Sequence, residues 1–125
     1  MGALVKRCFD SNILIDWLNG VAAAEGELDA ADLKVISIMT WIEVLAGVGS
    51  DDEALAAREF LTNFRVVPVG TLIAERALLL RREKRVRLVD ALIHATALNE
   101  GLILVTRNTK DFSPLDPTIR IPYEL

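Results

Sequence analysis

The sequence has 125 residues, of which 52% are apolar and 26% charged, with a formal net charge of −4. That length fits one domain over residues 1–125 and leaves little room for two. The acidic balance argues against a protein that coats nucleic acid by bulk charge. No apolar run reaches the ~20 residues of a membrane span, and a lone cysteine, Cys8, cannot close an internal disulfide. Met1-Gly2-Ala3-Leu4-Val5-Lys6 has neither the layout of a secretory signal nor the Ser or Thr of a myristoylation site, so a cytoplasmic chain away from membranes is expected.

In chain order, Ala3 to Phe9 reads as a short buried strand, and Asn12 to Leu18 as a helix that stops near Asn19-Gly20. Residues 21–31, rich in Ala and Glu, suit a second helix, and Leu33 to Ile38 a second strand. Thr40 to Ala46 reads as a helix, followed by Gly47-Val48-Gly49. Ser50 with Glu53 three residues on has capping-box spacing, opening a helix to about Phe64. Arg65 to Val69 is a short strand, Gly70-Thr71 opens a helix to about Arg85, and Leu88 to Asn99 is a helix ended by Gly101. Leu102 to Thr106 is an apolar strand, and the tail from Ser113 holds three of the four prolines with an edge strand expected over Thr118 to Ile121.

Strands alternating with helices predict an α/β fold, a three-layer sandwich with a mainly parallel central sheet flanked by helices. Such sheets carry their ligand sites at the carboxyl ends of the strands. The first strand ends at Asp10, the second is followed by Glu43, and Asp90 opens the helix that feeds the last clear strand. That strand ends in Thr106-Arg107-Asn108-Thr109-Lys110-Asp111. Each acid alone has a plain explanation: Asp10 as a helix cap, Glu43 as an exposed helix residue, Asp90 at a helix's positive end, Asp111 in a solvated turn. Four acids at element boundaries on one pole are harder to dismiss, because like charges repel unless a cation sits among them. With no His or Cys in the set, the ion expected is a hard, oxygen-seeking one, Mg2+ with Mn2+ as the alternative.

The segment Phe9-Asp10-Ser11-Asn12-Ile13-Leu14-Ile15-Asp16 resembles the opening of PIN domains. Trp41-Ile42-Glu43-Val44-Leu45-Ala46-Gly47, Leu88-Val89-Asp90-Ala91-Leu92-Ile93-His94-Ala95-Thr96-Ala97 and Leu104-Val105-Thr106-Arg107-Asn108-Thr109-Lys110-Asp111-Phe112 resemble the three later motifs, in order and across nearly the whole chain. The length and the Thr-Arg-Asn-x-x-Asp-Phe ending are similar to VapC-type toxins of toxin–antitoxin pairs. The resemblance implies a PIN-like sandwich, metal-dependent hydrolysis of RNA by activated water, a cognate antitoxin that inserts a segment near the active site, and a homodimer. It places the metal-binding acids on Asp10, Glu43 and Asp90. Many PIN domains carry an acid two residues after the threonine, where this chain has Asn108; Asp111 supplies the fourth charge instead, with Asn108 as a further ligand candidate.

Ser11, Asn12, Thr106 and Asn108 are expected to support the acids by hydrogen bonding. For RNA, Arg107 and Lys110 lie nearest, and Arg85 and Arg87 belong to a basic run, Arg81 to Arg87, broken only by Glu83 and Val86. His94, one turn after Asp90, is expected to be packed, and Asp16 to stand outside the ion's ligands. Ile13-Leu14-Ile15 and Leu78-Leu79-Leu80 can serve either a dimer surface or the core. Two rival readings remain at this stage: a phosphoreceiver-like signalling domain, which would need adjacent acids after the first strand where Asp10 has Ser11, and a PIN-like binding module without catalysis.

Overall fold

The computed structural model describes residues 2–125. Five strands and six helices follow one another as β1 (Lys6–Phe9), α1 (Ser11–Leu18), α2 (Ala22–Asp29), β2 (Leu33–Ser37), α3 (Ile38–Ala46), α4 (Asp51–Leu61), β3 (Arg65–Val67), α5 (Thr71–Lys84), α6 (Leu88–Asn99), β4 (Ile103–Val105) and β5 (Ile119–Arg120). The sheet order is β3-β2-β1-β4-β5, and every pairing is parallel.

Alternation along each strand divides the core. Phe9, Ile36 and Val105 face a cluster formed with Ile13, Leu14, Leu28, Val44, Phe60 and Phe64 from the α1–α4 segment. Val35 and Val67 face the other side with Ile73, Ala77, Leu80, Ala91 and Ala95 of α5 and α6, and Cys8 and Leu104 join Ile93 and Phe112 there. Burial on both faces explains why the strands read as unbroken apolar runs, as parallel strands do. Cys8 is fully buried, and burial pushes its thiol up to about 12, so it is an inert packing residue.

Differences from the sequence expectation fall at boundaries. β1 begins at Lys6 rather than Ala3, and α4 ends at Leu61, where Thr62 and Asn63 fold their side chains back onto the carbonyls of Glu59 and Phe60. α3 begins at Ile38, two residues earlier than expected, because Ser37 at the end of β2 accepts from the Met39 N–H and caps the helix directly. The Leu78-Leu79-Leu80 run divides, Leu80 entering the core and its two neighbours staying exposed, while Ile13 and Leu14 are wholly core.

Candidate metal and nucleic-acid site

The site lies where the sheet order reverses about β1, the place where parallel sheets open a crevice. Phe9 of β1 and Val105 of β4 are direct register partners, so the next residues, Asp10 and Thr106, leave the sheet side by side. Asp10 is only 4% exposed and both its oxygens are held. Oδ1 accepts from the Ser11 N–H at 2.7 Å, which makes Asp10 the N-cap of α1. Oδ2 accepts from the Thr106 hydroxyl at 2.7 Å and the Asn12 amide at 3.2 Å. Asn12 also donates to Thr106 Oγ1 and accepts the Arg107 N–H, sewing α1 to the end of β4. The cap reading of Asp10 is therefore correct, and it leaves the carboxylate at the pole where the site was expected.

Glu43 lies at the exposed surface of α3, and its Oε1 accepts from the Ser11 hydroxyl at 2.5 Å. Asp90 is buried in the first turn of α6, and Asp111 follows β4 in a loop where the Asn108 amide donates to its Oδ2 at 2.9 Å. Burial raises the Asp10 carboxyl above its ordinary range, Glu43's charge adds to this, and the hydrogen bonds from Thr106, Ser11 and Asn12 oppose it. Burial, then the charge of Asp10, pushes Asp90 up to about 6 against the pull of Arg87. Asp111 is held low, first by Asn108. Thus Asp10 feels Glu43 and Asp90 feels Asp10, so three acids from distant parts of the chain share one field.

This donor set is carboxylate, amide and hydroxyl oxygen, which suits a hard divalent ion. Among the described residues no three acid, His or Cys side chains already stand at metal-ligand spacing, so side chains must close to grip one. Asp10, its carboxylate held by three groups from α1 and the residue after β4, is the fixed member; Glu43 and Asp111, on the rim, are the ones with room to move.

The basic residues separate. Arg107, expected to meet a phosphate, instead forks onto Asp16, with Nε and Nη2 at 2.7 and 2.9 Å from its two oxygens. Tyr123 donates to Asp16 Oδ2 at 2.7 Å. The guanidinium is thereby neutralised, and Arg107 acts as a strut for the loop that carries Asn108 and Asp111. Lys110 and Arg85 are exposed, and Arg87 donates to both Asp90 and Asp111. His94 accepts from or donates to the Thr118 hydroxyl at 2.9 Å and packs edge-on to Phe112, without a hydrogen bond to the acids. Trp17 stacks on Phe60 and Trp41 sits under Arg58. The sequence sets Asp16 outside the ion's ligands and does not show that it clasps Arg107 and Tyr123. A helical spacing of four from Asn12 to Asp16 was an available clue; for Tyr123, in a proline-bearing tail, there was none.

A PIN domain model matches residues 7–116, a span that includes all four acids. A toxin–antitoxin complex from Klebsiella pneumoniae contains a chain similar at 40% identity, with a TM-score of 0.90, over 96% of this chain and 100% of that one. DNA-bound VapBC from Salmonella typhimurium is similar at 25% identity, TM-score 0.76, covering 94% and 97%. FitAcB from Neisseria gonorrhoeae, at 22% identity, TM-score 0.77, with 94% and 99% covered, shares the fold. No curated protein matches the chain. With the motifs in order, the acids at one pole and the sheet matched throughout, the chain belongs to the PIN-domain family.

Proposed function

We propose that this chain is a Mg2+-dependent endoribonuclease, the VapC-type toxin of a toxin–antitoxin pair, with Mn2+ able to replace Mg2+. One observation carries the proposal: Ser11 joins Glu43 to the Asp10 turn, Arg87 bridges Asp90 and Asp111, and Asp10 and Asp90 are both pushed toward protonation, Asp90 in part by the charge of Asp10. A cluster under that strain gains most from a cation. Asp10, Glu43 and Asp90 would hold the ion, with Asp111 or Asn108 completing its shell. The bound ion would supply phosphate neutralisation and a water acidic enough to attack at neutral pH.

The protein's own groups do the positioning. Asn12 and Thr106 fix Asp10 and leave it no freedom to turn away. Ser11 holds Glu43 toward Asp10 across the gap between α1 and α3. Lys110, Arg85 and Arg87 offer cations on the rim for the RNA backbone, where each contact adds salt-sensitive affinity. The receiver alternative loses ground, since that fold has strand order 2-1-3-4-5 and this sheet runs β3-β2-β1-β4-β5.

The antitoxin is the partner to which the similar complexes point. The groove of about 360 Å³ between α1, α3 and α4, lined by Ile15, Leu18, Val44, Val48 and Ala56, suits an apolar side chain of such a partner. A homodimer would use α5, where Leu72 and Leu79 are seven residues apart on one exposed face with Leu78 beside them.

The test is cleavage of structured RNA by the purified chain. Cleavage should require Mg2+ or Mn2+, stop with EDTA, and be lost in Asp10→Asn while the melting curve stays cooperative. Cleavage that persists in EDTA, or in that variant, would sink the metal reading. Stoichiometric RNA binding without turnover would favour the binding module.

A further inference from the structure

We propose that Arg87 competes with the divalent ion for the outer acids and, once displaced, becomes a phosphate clamp, so that the ion must load before RNA is held. This rests on the metal reading above. Arg87 stands at the N-cap position of α6 without a capping side chain. Its Nε donates to Asp90 Oδ2 at 3.2 Å and its Nη2 to Asp111 Oδ2 at 3.0 Å. One guanidinium therefore bridges two candidate ligands from different elements, α6 and the loop after β4.

A metal ion would draw on the same two carboxylates, so ion and guanidinium, both cations, compete for them. The divalent ion carries twice the charge and wins at sufficient concentration, at reduced apparent affinity. The bridge is also easily broken, since the Arg87 side chain is 75% exposed and exposed pairs are worth little. The other cations at this pole do not share this position. Lys84 is paired with Asp116 and Arg107 with Asp16, neither of which is a proposed ligand. After displacement Arg87 remains tethered three residues from Asp90, with a planar fork that matches a phosphate.

The rival account is that Arg87 simply props Asp90 and Asp111 in place. Titration calorimetry with Mn2+, without RNA, separates the two in wild type, Arg87→Gln and Arg87→Lys. Competition predicts that Arg87→Gln binds Mn2+ about threefold to tenfold more tightly than wild type, with Arg87→Lys between them. A prop predicts weaker binding in Arg87→Gln, and an unchanged or weaker value overturns the inference. Fluorescence anisotropy with a short labelled RNA, at saturating Ca2+, reads the second half. There Arg87→Gln should bind about threefold to tenfold more weakly, and unaltered RNA binding overturns the clamp. Wild-type protein that binds no Mn2+ overturns the metal reading and this inference together; ion binding in wild type without a gain in Arg87→Gln overturns this inference alone.

Discussion

Asp10 has two oxygens and two structural obligations, capping α1 and anchoring the Asn12–Thr106 seam, and in the proposed function it would also offer lone pairs to a cation. Removing one anchor leaves the carboxylate in place but free to turn. The Thr106 hydroxyl donates to Asp10 and accepts from the Asn12 amide and the Asn108 N–H, so Thr106→Val is expected to cost about 2–3 kcal/mol of stability and to lower cleavage; paired melting and rate measurements check this. Asp16 has a different role, seen in its pH behaviour. Burial raises its pKa, but the bonds from Arg107 and Tyr123 outweigh burial, so the folded-state value lies below the ordinary 3.8. A carboxyl depressed in the fold contributes stability above its unfolded pKa and loses it as pH falls through the folded one. Melting temperatures at pH 7 and pH 3 should therefore differ less in Asp16→Asn than in wild type, and a parallel acid loss in both would count against the clasp. At this scale the acids stood out as candidates because they sit at or near element boundaries. The diversion of Arg107 was not, since a sequence shows that an arginine is near a site but not which carboxylate reaches it first.

At the scale of elements, the join between α5 and α6 combines strain with charge. Arg85 ends α5 in the left-handed region at φ 53°, the only non-glycine with positive φ among the described residues. Glycine is the residue that takes this position without strain. Arg85→Gly should raise stability by up to about 1 kcal/mol, the relief of left-handed strain less glycine's entropy on folding, seen as a higher denaturation midpoint, while removing one rim cation. The sequence reading ends α5 at about Arg85, within one residue of the observed Lys84; the left-handed turn at Arg85 was not legible, because it lies in backbone geometry that composition does not encode. The early start of α3 has the same character: Ser37 is both the last strand residue and the cap, and periodicity alone cannot divide one residue between two roles.

For the molecule as a whole, the architecture was the most legible part, because alternation of apolar strands with amphipathic helices permits few other arrangements. The strand order was not, since nothing in the local pattern says that β4 lies beside β1. That adjacency is what makes the site, and it depends on the central strands packing from both faces. Leu104, fully buried in β4, should show it: Leu104→Ala is expected to cost about 2–5 kcal/mol, measured by denaturant unfolding. Net charge misleads at this scale too. The chain is acidic overall, yet an exposed basic run from Arg81 ends at Arg87, which lies against Asp90 and Asp111. RNA affinity should then fall steeply with salt in spite of the negative total.

The Tyr123 hydroxyl on Asp16 links the far end of the chain to the loop bearing Asn108 and Asp111 through a single shared carboxylate. Trimming that end is therefore not neutral. Carboxypeptidase digestion past Tyr123, or a bulky fusion that pulls the last residues from the surface, would slacken the loop from outside the crevice and blunt cleavage while every acid stayed in the sequence.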